Sequence, residues 1–219
     1  GPEDAEKFVQ EVIWRGYFKG WLERRPQVWG SYWSGLQDDL AALDRDRRLR
    51  RDVDRAVNGN TGLDCFDAWA LELVETGYLH NHARMWFASI WIFTLGLPWR
   101  LGADFFYRHL LDGDAASNTL GWRWVAGLHT QNKPYLATVE NIVEFTAGRF
   151  NPRRKFIDDN ARPLNWEDLG PLEPIPEVLV PEPGLRTGIL LTDEDLSPQS
   201  WPDVPQGAVS LAGLCSVDL

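Results

Sequence analysis

Tryptophan constrains this chain more than any other feature of its sequence. Twelve of the 219 residues are Trp, and eleven of the twelve fall within the first 166. Leu fills a core with no N–H to satisfy, so a core with no other duty does not call for so many indoles. The rings are therefore the first place to look for function. At 44% apolar residues the chain can bury one sizeable core or two small ones around them.

Charge and cysteine narrow the classes. With 32 acidic and 22 basic side chains the formal charge is −10, so the chain lacks the diffuse positive field behind non-specific nucleic-acid binding, and any such contact has to be local. Cys65 and Cys215 are too few for a disulfide framework, a four-cysteine zinc site or an iron–sulfur cluster. A reducing cytoplasm is the expected location. The longest apolar stretch, Met85 to Trp99, is broken by Ser89, Thr94, Gly96 and Pro98 and falls short of the roughly 20 residues of a membrane span. It reads as a buried helix, with no membrane partner expected. No basic stretch precedes an apolar one at the N-terminus, so no secretory signal is expected.

Residues 1–160 hold 22 acids and 20 bases, whereas residues 161–219 hold 10 acids, 2 bases and nine of the fourteen prolines. The first part reads as an all-α body, because apolar positions return every three or four residues with few β-branched runs. The helices expected are one from Asp4 that stops before Pro26, with Phe8, Val12, Tyr17 and Trp21 as core candidates, then 36–57, 63–76, Asn81 to Leu95, Leu101 to Leu111, Asp114 to Val125 and Val139 to Phe145. Gly77 closes the third as a left-handed cap. The run "LDRDRRLRRDVDR" in the second reads as a solvated face laced with weak ion pairs, a phosphate-facing patch being the alternative. From 161 to 186 the prolines favour an extended wrap or linker. Ile189, Leu190 and Leu191 then suit one strand before an acidic turn, which could open another module in an otherwise Pro-rich, acidic tail.

Four patterns invite chemistry. "HNHARM" sets His80 and His82 two apart, on opposite sides if both are helical, so they are poor joint metal ligands and no metal site is expected. "DGDAASN" puts Asp112 and Asp114 ahead of a helix, either as an N-cap or as a pair of carboxylates with Arg84 as counter-ion. "GWRW" points Trp122 and Trp124 to different faces, either as two buried tryptophans or with one inward and one towards a cleft. "EVIW" places Glu11 and Trp14 on one helical face, an acceptor beside a stacking surface.

These segments occur in one order and spacing: "TG-(Y/W)-x-HN-x-x-RM", a Trp fourteen residues beyond its Met, "DGD-x-x-x-N" and "GW-x-W". From about Glu11 to Tyr135 the chain resembles the flavin-binding helical domain of the DNA photolyase and cryptochrome family. The resemblance implies a helical bundle like the family's C-terminal FAD-binding domain, with FAD folded into a U inside it. It implies flavin contacts at Tyr78, Asn81, Arg84, Asp112, Asp114 and Asn118, the last facing N5 of the ring and Arg84 pairing with Asp112. Trp122 and Trp99 match the inner two members of the family's electron relay. The outermost has no counterpart, since Asp46 stands fifteen residues before Thr61; Trp91, Trp86 or Trp69 would have to serve, or the relay is shortened. Glu11, Trp14, Asn81, Met85 and Trp124 look like residues that hold a flipped cyclobutane pyrimidine dimer, an extrusion expected of photolyases, with Glu11 accepting from the bases. Arg15 and His82 would border the DNA. The six-four subgroup would carry histidines in place of Asn81 and Met85, and too few cysteines exist for the iron–sulfur subgroup.

The sequence departs from the family's pattern in two places. The Thr/Ser-rich loop that cradles the FAD phosphates, and the antenna domain, have no counterpart in the ten residues before Glu11 or in the tail. The expectation is a fragment, solvent-exposed phosphates, or a wall supplied by another polypeptide or domain, with FAD held more weakly. The segment "LATVENIVEF" replaces the family's basic "FRIFNP" type, and His82 stands where an arginine is usual. The resemblance thus implies a light-driven lyase of deoxyribodipyrimidine photolyase type, acting on UV-damaged DNA by electron donation from reduced FAD. The alternatives are a cryptochrome-like blue-light photoreceptor and a truncated flavin-domain relative without activity.

Overall fold

Pro26 separates the first two helices. In the computed structural model, which describes residues 2–175, 177, 188–191 and 209–212, with side chains for 5–175 and 177, α1 (Pro2–Glu23) stops ahead of it. Helix α2 (Pro26–Arg45) then begins on it, where a missing N–H costs nothing. The single helix expected over 36–57 is two. Asp46 takes an extended conformation and its carboxylate accepts from the N–H groups of Arg48 at 2.8 Å and Leu49 at 3.1 Å, which opens α3 (Arg47–Val57). A side chain that can satisfy orphan amides favours a new helix start over helix continuation. Those bonds also hold the Asp46 carboxyl below its ordinary range. The arginine run lies on α3 with ion pairs such as Arg48 to Asp52 at 3.7 Å, both side chains well exposed.

Helix α4 (Asp64–Thr76) is nucleated by Asp67, which accepts from Thr61 N–H, Thr61 Oγ1–H and Gly62 N–H at 2.6–2.9 Å. It ends at Gly77, whose φ of 68° is the left-handed cap expected there. Helix α5 (Asn81–Ser89) runs into a π-helical turn, Ile90–Thr94. Pro98 precedes α6 (Trp99–His109), followed by α7 (Ala115–Val125) and α8 (Val139–Phe145). The unit Gly1–Pro174 is thus all-α among its described residues, as its periodicity implies, and none of its helices is long and apolar enough to cross a membrane. The unit Ile175–Leu219 holds β1 (Gly188–Leu191), expected from sequence, and a parallel partner that was not, β2 (Val209–Ala212), with Ile189 opposite Ser210 and Leu190 opposite Leu211. Gly184, the acidic turn after Leu191, and Cys215 lie outside the described residues.

Rings fill the core between α4, α5, α6 and α7. Phe66 stacks on Phe87 at 4.2 Å, Phe87 meets Phe106 at 5.0 Å, and Trp91 stands perpendicular to Trp122 at 6.3 Å. The close approach of α6 to α7 depends on Gly102: a Cβ there would sit 2.3 Å from the far edge of Trp122 and 2.9 Å from Trp91. Of the core face expected on α1, Phe8, Val12 and Tyr17 are exposed, whereas Trp21 packs on the body as expected; with Phe18 it forms the contact, the Phe18 and Trp21 rings lying 5.8 and 4.6 Å from His129. The periodicity is that of an amphipathic helix, but only its C-terminal turns find a surface to cover.

The segment after residue 160 has neither helix nor strand through Ile175, yet it is bonded to the bundle. Leu164 N–H reaches the Ala126 carbonyl at 3.1 Å, and Glu173 N–H that of Arg24 at 3.0 Å. Between them Glu167 accepts from Arg100 and Arg123, both at 3.0 Å, and from the Ser31 hydroxyl at 3.2 Å. Arg123 is buried, so Glu167 is its counter-charge.

Two stability outcomes follow. Gly102→Ala should overpack the α6–α7 contact and lower unfolding free energy by about 1–3 kcal/mol, read as a reduced urea midpoint at unchanged slope. Glu167→Ala should leave a buried guanidinium without its counter-charge, at a cost of about 3–5 kcal/mol, measured the same way. A midpoint that does not move in either variant contradicts the packing described.

Candidate functional site

The turn between α6 and α7 brings two acids to the mouth of the bundle, and they take different partners. Gly113 N–H bonds back to the Leu110 carbonyl at 3.1 Å, which sets Asp112 outside and Asp114 at the start of α7. Arg84 of α5 donates through Nη2 to Asp112 at 3.0 Å and through Nε to the Leu79 carbonyl at 2.8 Å, and its guanidinium carbon lies 5.7 Å from the Tyr78 ring centre. The Arg84–Asp112 pairing is the one the resemblance implies. Asp112 is exposed, so one side of the pair is open to a ligand.

Asp114 is buried and has three cationic or amide partners. It caps α7 by accepting from Ser117 N–H at 2.8 Å, and its other oxygen lies 3.1 Å from Lys19 Nζ and 3.4 Å from Arg15 of α1. Burial alone would raise its pKa, but the Ser117 amide and the Lys19 ammonium outweigh that and hold the carboxyl below its ordinary range. The capping explanation for Asp114 therefore holds. The picture of two carboxylates sharing Arg84 does not, because Arg84 reaches only the outer acid and α1 supplies the counter-ions of the inner one.

Asn118 stands one turn into α7 and donates its side-chain N–H to the Ala103 carbonyl at 2.7 Å. That bond fixes the amide and leaves its carbonyl oxygen and its second N–H to a ligand. Four residues on, and so on the same face, Trp122 is buried, and its indole N–H has no acceptor among the described residues. Trp124, half-buried, stacks on Tyr135 at 5.3 Å. The division of Trp122 and Trp124 between an inward and a more open position is one of the two arrangements expected.

The remaining sequence candidates are scattered. Glu11 and Trp14 lie on the exposed part of α1, Trp14 against Tyr17 at 5.7 Å. Asn81 is exposed at the start of α5, Met85 is half-buried one turn later, and His82 packs on Phe145 at 4.5 Å and Trp86 at 5.5 Å. His80 and His82 do not diverge as two helical residues would. His80 is the cap, its Nδ1 accepts from His82 N–H at 3.3 Å, and the rings are 5.4 Å apart. Trp99, buried at the start of α6, contacts Tyr32 at 5.7 Å and lies beneath the guanidiniums of Arg100 and Arg123. Of the substitutes for an outer relay member, Trp91, Trp86 and Trp69 are all buried.

Sequence reasoning missed Glu167 and Tyr32. Tyr32 was accessible through the buried i, i+4, i+8 set Val28, Tyr32 and Leu36, whereas Glu167 sits in irregular chain where no periodicity marks it. Arg84 with Asp112 and the part-buried amide of Asn118 supply donors and acceptors of the kind that the edge of a flat heteroaromatic group such as the isoalloxazine of FAD requires.

The family model described as the FAD binding domain of DNA photolyase matches residues 8–162. The deoxyribodipyrimidine photo-lyase of Streptomyces griseus is 38% identical over 138 residues, 61% of this chain and 28% of that protein. The enzyme of the same name from a strain of Thermus thermophilus is 34% identical over 165 residues, 72% of this chain and 36% of that protein. A class III photolyase structure from Agrobacterium tumefaciens superposes with a TM-score of 0.52 at 27% identity, over 68% of this chain and 30% of that one. The chain spans 28–36% of the length of these relatives. With its helical body inside the family match, the chain belongs to the family of FAD-binding domains of DNA photolyase.

Proposed function

We propose that this chain is the flavin-holding part of a light-driven flavoprotein that repairs cyclobutane pyrimidine dimers. The observation that carries the reading is the orientation of Asn118: with one N–H held by the Ala103 carbonyl, the amide presents its carbonyl oxygen and its second N–H to whatever lies against α7. The oxygen suits a ring N–H such as that of a reduced flavin. Bound FAD would supply one-electron chemistry driven by light. Arg84 and Asp112 would hold the ring's polar edge, with Tyr78 and Asn81 beside them. Asp114 keeps Lys19 and Arg15 of α1 at the same mouth, where they favour an anionic group.

On the substrate side, Trp14 and Trp124 offer stacking faces and Glu11 an acceptor for base N–H groups, with Met85 and His82 bordering them. Arg15 is half-exposed despite its contact with Asp114, which leaves it able to meet a phosphate as well. Trp122 and Trp99 would pass electrons to the flavin. The exposed apolar face of α1, Phe8 and Ile13 included, is where further polypeptide would close the phosphate side.

FAD titration and illumination of an oligonucleotide bearing one thymine dimer test the reading. The protein is expected to retain FAD through gel filtration and to restore the dimer only in light. Asp112→Ala should weaken FAD binding about tenfold or more, by the ~1.5–3 kcal/mol of a charged hydrogen bond, and Glu11→Ala should slow repair without changing flavin content. Flavin retained with no repair would favour the photoreceptor alternative, and flavin lost on filtration would sink both.

A further inference from the structure

A file of rings crosses the helical body from α7 to the outside of α2. Trp122 meets Trp91 edge to face at 6.3 Å, and Trp91 donates its N–H at 2.9 Å to the carbonyl of Pro98, the residue joined to Trp99. Trp99 lies 5.7 Å from Tyr32, and Tyr32 lies 5.3 Å from Trp29. Relative exposure is 3%, 0%, 4% and 5% for Trp122, Trp91, Trp99 and Tyr32, then 38% for Trp29. We propose that Trp29 is the solvent exit of the electron relay, reached from Trp99 through Tyr32. This rests on the reading that Trp122 and Trp99 serve a bound flavin.

The direction follows from where a positive charge is tolerated. An indole that has lost one electron is a cation, and inside the bundle it is cut off from water. At Trp99 the penalty is greater still, because the guanidinium carbons of Arg100 and Arg123 lie 5.1 and 6.0 Å from the ring centre, held there by Glu167. A guanidinium is attracted to the face of a neutral indole and repelled by an oxidised one. Trp99 is therefore a place the charge passes through. Tyr32 is buried, away from the water that would take the proton of an oxidised phenol, so the ring couples the two indoles without storing the oxidation. At Trp29 water both solvates the cation and accepts its N–H proton.

The step balances. One electron leaves Trp29 and arrives at the photoexcited oxidised flavin, and the indole proton of Trp29 goes to water. A dissolved thiol then returns a hydrogen atom to the Trp29 radical and becomes a thiyl radical. Trp33, exposed on the same helix and without a ring contact among the described residues, is the natural control.

The test is transient absorption of the FAD-loaded protein after a blue flash, with peptide mapping after prolonged illumination in air without thiol. The wild type should form a long-lived deprotonated indole radical that thiol quenches, and should gather oxygen adducts on the Trp29 peptide. Trp29→Phe should lose both signals, while Trp33→Phe keeps them. A Trp29→Phe protein whose radical lives as long as the wild type's overturns the exit assignment and leaves the relay reading standing. A flavin-loaded wild type with no indole radical at all overturns the relay reading and the exit with it.

Discussion

The approach of α6 to α7 at Gly102 is the contact on which the rest of the site depends. Without a side chain at that point, Trp122 can lay its edge against α6 and meet Trp91 in the same space. The same approach brings Asn118 within hydrogen-bond distance of the Ala103 carbonyl, one residue along α6. A wider separation would lose the bond that fixes how the Asn118 amide meets a ligand. Core packing and ligand polarity are thus set by one helix crossing, and a packing error of about an ångström would be felt as chemistry.

That crossing also explains why so many indoles are tolerated. Most large core rings meet edge to face or tilted, as Phe106 and Trp122 do at 5.1 Å and 86°, arrangements that suit the ring quadrupoles. The indole donors have uneven fates. Trp91 gives its N–H to the carbonyl of Pro98, the residue that precedes α6. The Trp122 N–H has no acceptor among the described residues. A buried donor without a partner is a stability cost that a fold whose only task was packing would shed by using Phe or Leu.

Most of the bundle was legible in the sequence because helix signals are local. Gly77 as a left-handed cap, Pro26 as a boundary and Asp114 as an N-cap each depend on residues within one turn. The misreadings came where a local signal competed with another or with tertiary context. Asp46 is charged and sits in a helical pattern, so periodicity hid its capping role. Phe8, Val12 and Tyr17 carry an apolar stripe, and a stripe states that a face is sticky, not that anything covers it. The site was legible for the Arg84–Asp112 pair through spacing typical of a family. Lys19 and Arg15 were not assigned to Asp114, since no rule of spacing links the first helix to the seventh.

Glu167 shows where the folded body ends in physical terms. The family match stops at residue 162, but the buried guanidinium of Arg123 and that of Arg100 depend on a carboxylate beyond it in the chain. The body through residue 160 has nearly balanced charge, while the segment beyond is strongly acidic. One of those acids is spent inside the bundle, where low dielectric makes a missing counter-charge far more serious than any surface imbalance. The helical unit accordingly runs to Pro174, and its stretch after residue 162 adds no helix and little apolar cover. What it adds is the anion that lets two arginines stand over Trp99.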